Sequence, residues 1–327
     1  MAYYTGTANT LNDLMGFIKS ALVDAGFSLT GTVYSKSGLH AELSVVGDGV
    51  SIGSVLNLTV GNTLTGSTLS DACSARIGPQ QIAGLTGQTS WVWPCNYHIH
   101  VGTSPTEVYT MVNYGTFWQM IALGQSPASG NPGTGNWVHG TIGANATNVG
   151  ESALALDMID GVARNYYYGM NMGCCVPFFE GGVSGGTSLH SGSRVHGVYD
   201  NAGNIGWNPP LGSFKSTGTS GSTSSSTPSS PLVSILPNAW NLEAVLLPCQ
   251  VFQMRVDSKV SLVIDLAHLR ITRNDYLPDG EVVTLGPDRW KIYSAYRRDT
   301  ANRNGPGSNR GGNHSGTLAI ALRYDGA

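Results

Sequence analysis

Apolar residues recur at every second position in a succession of short runs, and that alternation most limits the folds open to this chain. Leu39, Ala41, Leu43 and Val45 alternate with His40, Glu42 and Ser44, and Leu56, Leu58 and Val60 repeat the pattern within Val55–Val60. A period of two turns one side of a strand inward and the other outward, so each run reads as a half-buried strand. Three further runs, Tyr97–Val101, Glu107–Tyr114 and Phe117–Leu123, are separated by the turn-rich Gly102–Pro105 and by Gly115. An antiparallel meander is the simplest arrangement for them.

Before these runs the period differs. Across Thr10–Asp24, Leu11, Leu14, Met15, Ile18 and Leu22 take the spacing of one helix face. Asn9 or Thr10 can cap the start, Asp13 suits the first turn, and Gly26 is placed to end the helix. Residues 1–125 are therefore expected to form a module in which an amphipathic helix packs on an antiparallel sheet. This helix, preceded by a short polar lead, is the only one the sequence supports.

Strand patterns resume at Glu243–Met254, Val260–Leu269, Glu281–Leu285, Trp290–Tyr293 and Thr317–Arg323. These define a β-rich C-terminal region, 232–327, which either completes the first domain or forms a second. Between them, 126–231 reads as a loop-rich insertion: Gln125–Asn136 and Glu180–Gly197 have little period, and Ser213–Pro231 is a low-complexity Ser/Thr/Gly/Pro segment. The expected fold class is α+β, predominantly β, with long Gly/Ser/Thr-rich loops.

Only 11% of the 327 residues are charged, about half the usual share, while 44 are Gly. An apolar content of 41% still supplies a core, which excludes charge-driven disorder. A low-charge surface resists association poorly, so burial against neighbouring subunits is the expected remedy. The Met1–Gly6 start has neither a basic nor an apolar stretch of the secretory kind, and no run reaches the roughly 18 apolar residues of a membrane span. A protein made in a cytoplasm, without a membrane segment, is expected. Cys73, Cys95, Cys174, Cys175 and Cys249 lack zinc spacing and read as reduced, mostly buried thiols.

Candidate chemistry is sparse. Gly182-Val-Ser184-Gly-Gly186 matches the nucleophile-elbow string, but its flanks are Gly/Ser-rich where a strand and a helix are required. His98 and His100 share one face of a strand, but two ligands hold a metal weakly and no third is near in sequence. Asp157 and Asp160 lie one turn apart only if that stretch is helical, leaving no anchor for acid–base catalysis. The chain is read as no enzyme, with no catalytic, cofactor or metal residue.

Two groups look suited to contact. Arg289, Lys291, Arg297, Arg298, Arg303 and Arg310 face only Asp299 between positions 289 and 310, a basic strip in a chain of formal charge −3. Contact with an acidic protein neighbour is preferred over DNA, because the chain as a whole is not basic. Trp91, Trp93, Tyr166, Tyr167 and Tyr168 divide between core and an exposed surface that could stack on a partner or a host glycan.

The block Leu285-Gly-Pro-Asp-Arg-Trp-Lys-Ile-Tyr293, continuing through Tyr296–Asn302 to His314–Leu318 and Arg323-Tyr-Asp-Gly326, resembles a family of tailed-bacteriophage virion proteins. The resemblance extends to Pro237–Trp240, Leu246–Pro248, Ser258–Leu262 and the opening Ala2–Gly6 before the helix; 126–231 does not match. It implies a structural or tail-associated subunit in the tail, baseplate or head-to-tail junction, located in the virion after assembly in the host cytoplasm. Its partners would be copies of itself and other virion proteins, and no catalytic residue is carried over. A host-surface glycan-binding module and a capsid decoration protein are the alternatives.

Overall fold

A computed structural model describes residues 1–51, 54–79, 91–126, 128, 130, 132–141, 172–173, 175–178, 181–183, 187–190, 192–199, 204–208, 214–215, 224–225, 246–254, 259–301, 303 and 316–326. Strand β1 (Ala2–Ala8) opens the chain where a polar lead was expected, and helix α1 (Leu11–Asp24) follows. The helix buries Leu11, Leu14, Ile18, Ala21 and Leu22, the stripe read from the sequence.

Both helix ends follow from local chemistry. Thr10 is extended and its Oγ1 accepts the Asp13 N–H at 3.0 Å, while Asp13 Oδ2 accepts the Asn9 N–H at 3.0 Å, a reciprocal cap. At the other end the N–H groups of Gly26 and Phe27 bond to the carbonyls of Val23 and Leu22, with Gly26 at φ +84°, a conformation that suits glycine. Thr10→Ala is expected to cost about 1 kcal/mol in urea unfolding; an unchanged midpoint would show that the cap is not needed.

Strands β2 (Ser28–Thr30), β3 (Val33–Lys36), β4 (Leu39–Val46), β5 (Val55–Thr65) and β6 (Thr68–Ile77) form an antiparallel meander, the N-terminal sheet. Next come β7 (Cys95–Thr103), β8 (Thr106–Tyr114), β9 (Phe117–Gln125) and β10 (Asn136–Gly140). Short strands β11 (Met172–Gly173), β12 (Gly181–Val183) and β13 (Thr187–His190) make a small sheet, followed by β14 (Arg194–Tyr199) and β15 (Ile205–Asn208). The central sheet has the order β1-β7-β8-β9-β10-β14-β15. Strands β16 (Phe214–Lys215) and β17 (Ser224–Ser225) pair with each other, and the rest of the low-complexity segment lies outside the described residues. The C-terminal sheet, ordered β18-β19-β22-β21-β20, comprises β18 (Leu247–Met254), β19 (Val260–Arg273), β20 (Val282–Leu285), β21 (Asp288–Ser294) and β22 (Leu318–Arg323). The chain is predominantly β, with one helix among the described residues.

The central sheet is covered on both faces. On β7, His98, His100 and Gly102 face the C-terminal sheet: His100 bonds to Tyr293 and to the Arg323 carbonyl, and a Cβ on Gly102 would overlap the His268 ring. Tyr97 faces the other way, where Phe17 of α1 stacks on it at 4.7 Å. On that side the N-terminal sheet closes in, so that a Cβ on Gly140 of β10 would fall on the backbone N and O of Arg76 in β6. Strands β8 and β9 are consequently buried along almost their whole length. One apolar core includes α1 and residues from all three large sheets, so 1–125 and the strands after 246 are packed together. The loop-rich expectation for 126–231 is revised where β10, β14 and β15 extend the central sheet.

Candidate functional site

Strand alternation on β7 turns both His98 and His100 toward the C-terminal sheet. His100 Nδ1 lies 3.0 Å from the Arg323 carbonyl and Nε2 lies 2.8 Å from the Tyr293 hydroxyl. A carbonyl only accepts, so Nδ1 carries the proton and Nε2 accepts from Tyr293. Burial drives the His100 pKa down to about 3, against the pull of the Arg323 carbonyl. His98 Nδ1 meets the Tyr3 hydroxyl at 2.6 Å and Thr5 Oγ1 at 3.1 Å, and burial followed by the Lys291 charge lowers its pKa to about 4. The two imidazoles tie β1, β7, β21 and β22 together. Among the described residues no group of three His, Cys, Asp or Glu side chains could hold a metal ion.

The described basic residues divide among three sets of partners. The Arg289 guanidinium lies over the Tyr324 ring at 4.9 Å, Lys291 Nζ lies over Tyr3 and Tyr324 at 5.4 and 5.2 Å, and Arg297 lies over Phe117 at 5.3 Å. Arg298 Nη2 donates to the Asp275 carbonyl at 2.9 Å, and Arg303 Nη2 meets the Asp275 carboxylate at 3.1 Å. Arg273 Nε binds the same carboxylate at 2.8 Å. Burial pushes the Asp275 pKa up, but Arg273, Thr317 and Arg303 outweigh it and hold the pKa low. The strip is thus distributed along the margins of β21 and β22, each described cation meeting its own chain. Arg310 lies outside the described residues.

The aromatic expectation is corrected at Trp91. Its side chain is 3% exposed, stacked on Tyr114 at 5.2 Å and edge-on to Trp93 at 5.4 Å. Trp93 is half-buried and donates from Nε1 to the Val50 carbonyl at 3.0 Å, while Val92 between them is 63% exposed. Alternation sends both indoles inward and the valine outward. Tyr166, Tyr167 and Tyr168, together with Asp157, Asp160 and Ser184, lie outside the described residues. Of the four described cysteines, Cys95, Cys175 and Cys249 are buried and Cys73 is half-buried.

Glu107 was missed as a key residue. Strand β19 breaks register against β18 so that Cys249 pairs with Leu266 while Pro248 pairs with Arg270, leaving Ala267–Leu269 without partners on β18. Into this bulge Glu107 of β8 offers its carboxylate: Ala267 N–H donates to Oε1 at 2.9 Å and His268 N–H to Oε2 at 3.0 Å. The Tyr109 hydroxyl donates to Oε2 at 2.8 Å. Burial raises the Glu107 pKa to about 7 even though the His268, Tyr109 and Ala267 donors pull it down. The available signal was an acid at the head of a strand rich in apolar residues, where burial demands donors.

One further cluster has hydrolase-like residue types. Thr134 Oγ1 is 3.1 Å from His196 Nδ1, and His196 Nε2 is 3.4 Å from Asp71 Oδ2. The bonding differs from that of an activated nucleophile. The Thr134 hydroxyl donates to Asn62 Oδ1 at 2.8 Å, and the Thr134 N–H donates to His196 Nδ1 at 3.2 Å, occupying the lone pair a general base would use. Asn62 Nδ2 donates to Asp71 Oδ2 at 2.8 Å, and Trp207 Nε1 to the Asp71 carbonyl at 2.8 Å. This network clasps the N-terminal sheet to the far margin of the central sheet. The chain matches no model of a known protein family and no curated protein.

Proposed function

We propose that the chain is a structural subunit of a tailed-phage virion, in the tail, baseplate or head-to-tail junction, working through subunit contacts in a symmetric assembly. One observation carries this reading: among the described residues, the polar clusters at His100, Glu107 and His196 join separate strands or sheets, and Asp275 ties the end of β19 to the segment holding Arg303. Such wiring stiffens a building block. The Leu285–Gly326 block that resembles virion proteins supplies β21 and β22, and its first residue, Leu285, is 58% exposed at the turn into β21. An exposed leucine in a low-charge chain suits contact with a neighbour. The glycan-binding alternative has less support, because Trp91 is interior.

Quantitative mass spectrometry of purified particles of the encoding phage tests the proposal. The expected result is a small symmetric copy number, about three to twelve per particle. Absence from purified particles would overturn it, and hundreds of copies would replace it with capsid decoration.

A further inference from the structure

The central sheet ends in strands of unequal length, β1 with seven residues and β15 with four. The β1 edge opposite β7 is bonded to no strand among the described residues. An open edge displays alternate N–H and C=O groups as a template for another strand. Natural edges are usually blunted by shortness, lysine, proline or a bulge. Strand β1, Ala-Tyr-Tyr-Thr-Gly-Thr-Ala, has no charge, no proline and an unbroken register over all seven residues. Other margins are better protected: β2 has three residues and β20 four, β6 is approached by Gly140 and Trp207, and Gln253 of β18 donates to the Tyr199 carbonyl.

The geometry points to β1 as a self-association edge whose occupant is β1 of a second copy, antiparallel, with the two-fold axis at Thr5. Ala8 is buried, so the pairing runs over Tyr3–Thr7: Tyr3 pairs with Thr7, Tyr4 with Gly6, and Thr5 with its own counterpart. No charge opposes another. The Tyr4 ring meets a residue with no side chain, Tyr3 lies opposite the hydroxyl-bearing Thr7, and the two copies of Thr5 stand opposite each other at the axis. Two central sheets would become one continuous sheet of fourteen strands, twice the seven in each copy. On the sheet face beside the edge strand, α1 leaves Phe17, stacked on Tyr97 of β7, 38% exposed. A two-strand seam alone buries less than the ~1,200 Å² of a stable complex. The dimer is therefore weak in dilute solution and reinforced where many copies are held together. The inference does not depend on the virion reading, since it concerns the isolated chain.

The test uses the purified full chain. Residues directly opposite in an antiparallel pair have Cα atoms about 4.5–5.5 Å apart, within the range a disulfide spans. Thr5→Cys should give a disulfide-linked dimer under mild oxidation. Thr7→Cys, about 13 Å from its own counterpart in this register, should not, and the unsubstituted chain controls for Cys73. Sedimentation should show a concentration-dependent dimer that Thr5→Lys weakens at least tenfold, with the monomer still folded because Thr5 is exposed. A monomer at all concentrations, equal crosslinking at positions 5 and 7, or a dimer indifferent to Thr5→Lys would overturn the inference. Presence or absence in virions is a separate measurement, so either idea can fail alone.

Discussion

Lowering the pH from 7 to 5 should reduce the unfolding free energy by about 4 kcal/mol, read from urea titrations at the two pH values. His98, His100 and the fully buried His139 have pKa values lowered to about 4, 3 and 3, by burial first in each case. Each is neutral in the fold but protonates near pH 6.5 once unfolded. Their stabilisation is complete above that value and is lost as pH falls toward the folded pKa. At pH 5 the three together cost about 6 kcal/mol. Glu107 acts in the opposite direction, since its pKa is raised to about 7. Its proton favours the fold below the unfolded value and that contribution is lost as pH rises through 7, so acidification to pH 5 returns about 2 kcal/mol. Glu107→Gln should remove the return and steepen the loss to about 6 kcal/mol. A flat profile between pH 5 and 7 in both proteins would show that these imidazoles are hydrated in the fold.

Glu107→Ala is expected to be the most damaging single truncation, costing about 4 kcal/mol. It leaves the Ala267 and His268 N–H groups and the Tyr109 hydroxyl without their acceptor in a fully buried place. Each orphaned buried donor costs about 1–3 kcal/mol. Hydrogen exchange supplies a local reading: the amides of Ala267 and His268 should lose protection before the rest of β19. A loss under about 1 kcal/mol with those amides still protected would mean that another acceptor serves the bulge.

Much of the fold was legible because it depends on neighbours in sequence. The 3.6 period and the Thr10 and Gly26 signals located α1, and alternation located β4, β5, β7, β8 and β9. Strands β1 and β6 were overlooked. Their exposed margins carry Thr, Ser and Gly, and what makes them strands is hydrogen bonding to β7 and β5. Strand β10 is five residues between glycines, and its pairing with β9 and β14 settles its conformation. The concentration of arginine near the C-terminus was also visible, but its use was not. Asp275 and Phe117, which receive Arg303 and Arg297, come from other stretches of the chain, and Tyr324 meets Arg289 only because β21 and β22 pair.

The sequence by itself determined which segments are amphipathic, where the helix starts and stops, and that charge is scarce outside the C-terminal block. Those properties reside in side-chain order and in local backbone preference. Only the tertiary structure decided that the central sheet is covered on both faces, that Trp91 turns inward, and that Glu107 supports a bulge 160 residues away. These outcomes depend on donors and acceptors meeting across sheets, and a buried polar group takes its role from the partner that satisfies it.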